Sequence, residues 1–269
     1  MTALAGVLFA ALAASSFAQE LVFDVVFQDV VEQRLKAYAR KNSERPIVLR
    51  RLFEEAGCKD AALSEQAVKG VKEPNLICTL RGEMDSEILV GAHFDLVEKG
   101  SGVIDNWSGA SLLTSLYQGL ARGPRHHTFR FVGFSGEERG LLGSRAYVKQ
   151  MEKTHEPVAA MVNLDTLGLG ETAVWVSHAD MNLAKTIGIV AAAAKAPVKA
   201  INVDGVGSTD SESFREKRIP SITIHSLTTA TLPLLHGPRD QIGAIHLDQY
   251  YETYRLVLAY LALLDQQLQ

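Results

Sequence analysis

Two histidines and four acids in this chain stand where their side chains can converge: His93, His236, Asp105, Glu137, Glu138 and Asp165. All offer nitrogen or oxygen donors, a set suited to zinc. His93 closes an apolar run, Ile88-Leu-Val-Gly-Ala-His93-Phe-Asp95, that reads as a buried strand. Side chains two apart on a strand share a face, so His93 and Asp95 lie side by side. A metal-bound imidazole usually hands its other N–H to a carboxylate, and Asp95 is in place to receive it. A glycine-rich loop then leads to Asp105 at the opening of a helix, where the plainer alternative is a capping aspartate.

Glu137 and Glu138 follow a second apolar run, Asp165 ends a third, and His236 lies in Leu-Leu-His236-Gly-Pro-Arg-Asp240. Carboxylates at the carboxyl end of a buried strand sit where open α/β sheets place their sites. The alternative for Glu137 and Glu138 is a helix N-terminus enriched in acids, which the helix dipole favours. That alternative accounts for two acids but not for their coincidence with His93 and Asp105. If Asp105 bridges two ions, each takes Asp105, one histidine and one further carboxylate. Asp105, Glu138 and Asp165 then nearly balance two dications, whereas without metal the clustered carboxylates would repel one another. The spare acid, Glu137, becomes the general base.

The elements that position these residues follow from the rest of the chain. With 269 residues and 47% hydrophobic content the chain can bury one large core. A net charge of −4 without a basic run argues against nucleic acid as the main partner. Cys58 and Cys78 alone cannot make a cysteine-rich zinc module. Residues 1–18, an apolar run ending in Ser16-Phe-Ala18, read as a signal peptide cleaved before Gln19. Residues 19–269 are then one periplasmic or secreted domain with no membrane span, and export permits a Cys58–Cys78 disulfide.

The pattern is helical over 25–57, interrupted at Pro46, and again after Asp105 to Leu120, over 181–195 and over 247–264. Strands are expected at 75–81, 88–94, 128–134, 160–165, 173–176 and 221–226. His126 and His127, at a strand entrance, read as solvated and without a role, and His225, inside an apolar strand, reads as structural. Strands alternating with helices indicate an α/β fold with a largely parallel sheet. Right-handed crossovers put the strand ends bearing His93, Glu137 and Asp165 on one edge. A dinucleotide loop at Gly100-Ser-Gly102 is disfavoured because Asp105 would repel a pyrophosphate, and Ser135 lacks the spacing of a hydrolase nucleophile.

Taken together, Gly-Ala-His93-Phe-Asp95, Gly-Val-Ile-Asp105-Asn-Trp-Ser-Gly-Ala, Phe-Ser-Gly-Glu137-Glu138-Arg-Gly-Leu-Leu-Gly-Ser, Asn-Leu-Asp165, Thr-Asp210-Ser with Phe214 and Ile219-Pro220, and Leu-His236-Gly-Pro-Arg-Asp240 carry a resemblance. The chain resembles the two-zinc aminopeptidases of the bacterial secreted type, whose clan also holds glutaminyl cyclases and the transferrin-receptor ectodomain. The resemblance implies a three-layer α/β fold, with a central mixed, mostly parallel sheet flanked by helices. It implies two Zn2+ per chain: His93 and Asp165 on one, Glu138 and His236 on the other, Asp105 bridging. Asp95 and Glu137 are the catalytic residues that hold no metal, and the bond after Asp105 is cis. His236 is preferred to His225 or His246 because Asp240 follows it four residues later, as in the family pattern. Family members often carry a tyrosine near this histidine, but Leu235 precedes it here. The implied activity is metal-assisted hydrolysis of the first peptide bond of a peptide with a free N-terminus. The alternatives are single-zinc acyl transfer, as in the glutaminyl cyclases, and a binding domain that has lost catalysis.

Overall fold

The computed structural model describes residues 21–205 and 207–268, so the signal-peptide reading lies outside the described residues. Eight strands, β1 (Leu63–Gln66), β2 (Asn75–Leu80), β3 (Glu87–His93), β4 (Thr128–Phe134), β5 (Val158–Leu164), β6 (Thr172–Val174), β7 (Val198–Ala200) and β8 (Ser221–His225), form one sheet in the order β1-β2-β4-β3-β5-β8-β6-β7. The central pairs β4–β3, β3–β5 and β5–β8 are parallel, as is β6–β7. The pairs β1–β2, β2–β4 and β6–β8 are antiparallel, so the sheet is mixed.

The sheet lies between two layers of helices. The helices are α1 (Gln28–Lys36), α2 (Arg45–Glu55), α3 (Ser108–Leu120), α4 (Leu142–Thr154), α5 (Met181–Ala194), α6 (Ser211–Arg215) and α7 (Leu247–Gln267). All seven residues of β3 are buried, and the strand serves both faces by alternation. Ile88, Val90 and Ala92 join the larger core with α1, α2, α3, α5 and α7, while Leu89 joins a smaller one with Tyr147, Val148 and Met151 of α4 and Phe214 of α6. With both faces covered, the carboxyl ends of the parallel strands are left as the open rim.

Several local expectations are corrected. Pro46 does not interrupt a helix; it sits in the first turn of α2, where its missing N–H is harmless, and the break lies at 37–44. The edge strands β1 and β7 and the short helix α6 have no apolar periodicity to announce them. His127 is not solvated but fully buried, because Asp265 of α7 accepts the backbone N–H groups of His126 and His127 at 2.9 and 2.7 Å. Cys58 and Cys78 are joined in a disulfide. Among the described residues, no helix is long and apolar enough to cross a membrane.

Candidate metal centre

Five chain segments deliver the convergent residues to the rim. His93 is the last residue of β3, Glu137 and Glu138 follow β4, Asp165 follows β5, and His236 comes from the loop between β8 and α7. Asp105 lies in the irregular turn 103–107, with φ −112° and ψ 94°, outside helical geometry. It does not cap α3. The cap is its neighbour: Asn106 Oδ1 accepts the Gly109 N–H at 3.0 Å and Asn106 Nδ2 donates to the Leu164 carbonyl at 2.8 Å. A Cβ on Gly109 would lie 2.4 Å from that carbonyl oxygen, so only glycine lets α3 approach the end of β5 this closely. Freed from capping, the Asp105 side chain faces the histidines. The peptide bonds Asp105–Asn106 and Asp165–Thr166 are both cis, the first of which the resemblance had implied.

The two oxygens of Asp105 are divided between two histidines. Oδ1 lies 3.2 Å from His93 Nε2, and Oδ2 lies 3.0 Å from His236 Nε2. On the first side Asp165 Oδ1 is 3.8 Å from His93 Nε2, and on the second Glu138 Oε2 is 3.1 Å from His236 Nε2. Each trio, His93 with Asp105 and Asp165, and Asp105 with Glu138 and His236, offers ligand atoms within 4.8 Å of one another. Glu137 forms a further such group with His93 and Glu138, and all seven residues except Asp95 line a cavity of about 350 Å³. Asp95 sits behind it. Its Oδ1 and Oδ2 accept the N–H groups of Glu137 and Glu138 at 3.0 and 3.2 Å, and Oδ1 lies 3.5 Å from His93 Nδ1. The two glutamates are not at a helix N-terminus, since α4 begins at Leu142 and its first turn holds no acid. The helix-dipole account of the pair therefore fails.

The electrostatics point to missing positive charge. Burial pushes Glu137 up to about 10, with Asp210, Asp165 and Glu138 adding to the rise against His93. Burial also raises Glu138 to about 7, and Asp105 beside it adds to this. Burial alone would lower His93, but Glu137, Asp105, Asp165 and Asp95 hold it well above its ordinary value. The hydrogen bond to Asp105 lifts His236 to about 9. Asp105, despite its burial, is held well below the usual carboxylate range by His236 and His93. Protonated imidazoles thus balance the carboxylates where cations would, and Glu138 Oε1 is buried without a hydrogen-bond partner. Buried oxygen and nitrogen donors in this state fit one or two dications.

His225 is elsewhere. Its Nδ1 accepts the Leu227 N–H and its Nε2 faces the Ile201 carbonyl, both at 3.0 Å, so neither ring nitrogen is free. His246 is an exposed residue before α7. Three residues important to the site went unread as such. Asp240 accepts the N–H groups of Ile104 and Asp105, and only its spacing from His236 hinted at a role. Arg45, fully buried, donates to the carbonyls of Phe94, Ser101 and Gly102, and nothing local in the sequence announces it. Trp175, at the end of β6, lines the cavity.

The model of peptidase family M28 matches residues 75–261, most of the chain and all of the convergent residues. The chain belongs to peptidase family M28. Among its relatives, a probable leucine aminopeptidase of Arthroderma benhamiae is 28% identical over 202 residues, which is 70% of this chain and 57% of that protein. The chain thus spans little more than half the length of that relative. The Legionella pneumophila LapA aminopeptidase superposes with a TM-score of 0.79 at 20% identity, over 94% of this chain and 79% of that one. BSAP, a zinc aminopeptidase from Bacillus subtilis, gives 0.64 at 26% identity, over 70% and 49%. An Acidobacteriales bacterium glutaminyl cyclase gives 0.71 at 16% identity, over 89% and 94%.

Proposed function

We propose that this M28 chain is a zinc-dependent aminopeptidase that removes the N-terminal residue of peptides, using two zinc ions and Glu137 as general base. One observation carries the reading: the Asp105 carboxylate is shared between two histidines, each with its own second carboxylate. His93 and Asp165 would hold one ion, Glu138 and His236 the other, and Asp105 both. Bound zinc would supply Lewis acidity to the scissile carbonyl and acidify the attacking water. Glu137, uncommitted to either trio and lining the cavity, takes the proton of that water and returns it to the departing amine. Asp95 holds the backbone of Glu137 and Glu138, fixing base and ligand relative to each other. The acids of the cavity favour the free, cationic α-amine of a peptide. The relatives named as aminopeptidases support the same reading.

Export is part of the proposal, with residues 1–18 removed and the protein periplasmic or secreted. The Cys58–Cys78 disulfide supports it, because such bonds persist in oxidising compartments. A second reading, acyl transfer on a single zinc, is favoured by the glutaminyl cyclase match over 94% of that chain. Elemental analysis together with assays on aminoacyl and N-terminal glutaminyl amides separates the two. Two zincs per chain and release of a free amino acid are expected. One zinc and a cyclised product would replace the aminopeptidase reading with the second.

A further inference from the structure

The turn that carries Asp105 is held from two sides by opposite charges. On one side lies Arg45, whose side chain is fully buried. Its Nη2 donates to the carbonyls of Ser101 and Gly102 at 2.7 and 2.8 Å, its Nη1 to that of Phe94 at 2.6 Å, and its Nε to that of Ala39 at 3.0 Å. Burial pulls the guanidinium down to about 10, against Asp240, Asp95, Asp105 and Glu138, so it stays cationic at neutral pH. On the other side lies Asp240, whose carboxylate accepts the N–H groups of Ile104 and Asp105. The cation thus takes the carbonyls of residues 101 and 102, and the anion the N–H groups of residues 104 and 105. Gly102 lets the guanidinium in: its φ is +59°, and a Cβ there would lie 2.7 Å from Nη2. Each end of this clamp reaches a proposed zinc ligand. Phe94 adjoins His93, and Asp240 follows His236 by four residues, with its carbonyl accepting both the N–H and the hydroxyl of Ser101.

We propose that Arg45 is a positioning residue that sets the separation of the two zinc half-sites, by tying the end of β3 to the turn of Asp105 and, through that turn, to the loop of His236. This rests on the two-zinc reading. His93 and Asp165 stand at the ends of β3 and β5, neighbours that the sheet holds in register without help. His236 has no such support. It stands on the loop between β8 and α7, and its side chain is 55% exposed. The Arg45 fork therefore matters most for the half-site of Glu138 and His236, which must share Asp105 with the other. A planar guanidinium bonds carbonyls at both ends of the 94–102 loop at once, whereas an ammonium presents a single point of donation. Asn42 offers a control within the same loop. It clasps Leu96 by both main-chain groups, at 2.9 and 3.1 Å, but joins neither end to the other.

Zinc affinity of the full chain would be measured by chelator competition, beside thermal unfolding of the metal-free protein. Wild type is expected to take up two zincs. Arg45→Met should leave the first nearly unchanged and weaken the second by roughly 10–100-fold, the usual cost of losing an outer support of a ligand. Arg45→Lys should fall between the two. Because Arg45 and Asp240 act on one turn, Arg45→Met combined with Asp240→Ala should weaken the second zinc by less than the product of their separate effects. Asn42→Ala should lower the unfolding midpoint and leave both affinities alone. An arginine that serves stability only would lower the midpoint while the second zinc bound as tightly as in wild type, and that result would overturn the proposal. So would an Asn42→Ala protein that lost the second zinc to the same extent, because the loop as a whole and not Arg45 would then be responsible. Should Arg45→Met fail to fold, Arg45→Lys carries the same comparison. Loss of the broader reading looks different: wild type itself would bind a single zinc, and the Arg45 proposal would fall with it.

Discussion

Asp240 holds Asp105 by its main chain, not by its side chain. Its carboxylate accepts the Ile104 N–H at 2.8 Å and the Asp105 N–H at 3.3 Å, and its own carbonyl accepts from Ser101. The Asp105 carboxylate is thereby left free to face His93 and His236, while the turn that presents it is fixed. Asp240→Ala is expected to weaken zinc binding by roughly 10–100-fold, the usual cost of losing an outer partner of a ligand. Asp240→Asn, which keeps one acceptor, should lose less. Competition with a zinc chelator measures both.

The roles proposed for Glu137 and Glu138 separate on mutation. Glu138→Ala should lose metal and activity together. Glu137→Gln should keep its metal, because the amide is nearly isosteric and Glu137 belongs to neither proposed zinc. Turnover should fall by at least ~10²–10⁴, in kcat more than in KM. Steady-state kinetics beside elemental analysis checks this, and a Glu137→Gln protein with near wild-type kcat would discard Glu137 as base.

The disulfide closes a loop of 20 residues between the end of α2 and β2. The loop-entropy estimate for such a closure is about 3 kcal/mol. The paired variant Cys58→Ser with Cys78→Ser should be less stable by an equivalent amount, with a somewhat larger m-value because the unlinked denatured chain is more expanded. Both sulfurs are buried, so mild reductant should leave the folded protein intact.

His225 gives a pH signature. Burial lowers its pKa, against the Ile201 carbonyl and Asp165, so the unfolded chain binds the proton more readily. Its contribution is fully present above the unfolded value of about 6.5 and is lost as pH falls below it. Chemical denaturation of wild type should therefore show stability falling with acidity in that window. His225→Gln should reduce the slope by up to ~1.4 kcal/mol per pH unit and leave zinc content unchanged.

The parts of the fold that were legible are those with strong periodicity. β3, β4 and β5 are apolar runs buried on both faces, and α3 and α7 carry long apolar stripes. The residues ending those strands could be read for the same reason, since a motif at a strand end is placed by the strand. What escaped depends on contacts distant in the chain. Arg45 is polar in a helix whose pattern gives no cause to bury it, and its partners lie about fifty residues away. His127 is buried only because Asp265 reaches it from the far end of the chain. Asp105 resembles a cap in sequence and is not one, because the neighbouring Asn106 takes that task.

Arg45 carries a practical consequence. The match to the family begins at residue 75, which invites trimming everything before it. Yet the guanidinium that ties Phe94 to Ser101 and Gly102 lies upstream of that boundary, as does one half of the disulfide. A truncated protein would keep every proposed zinc ligand and forfeit the brace beneath the loop leading to Asp105. The stretch matched to the family is thus shorter than the unit that must fold for the metal centre to assemble.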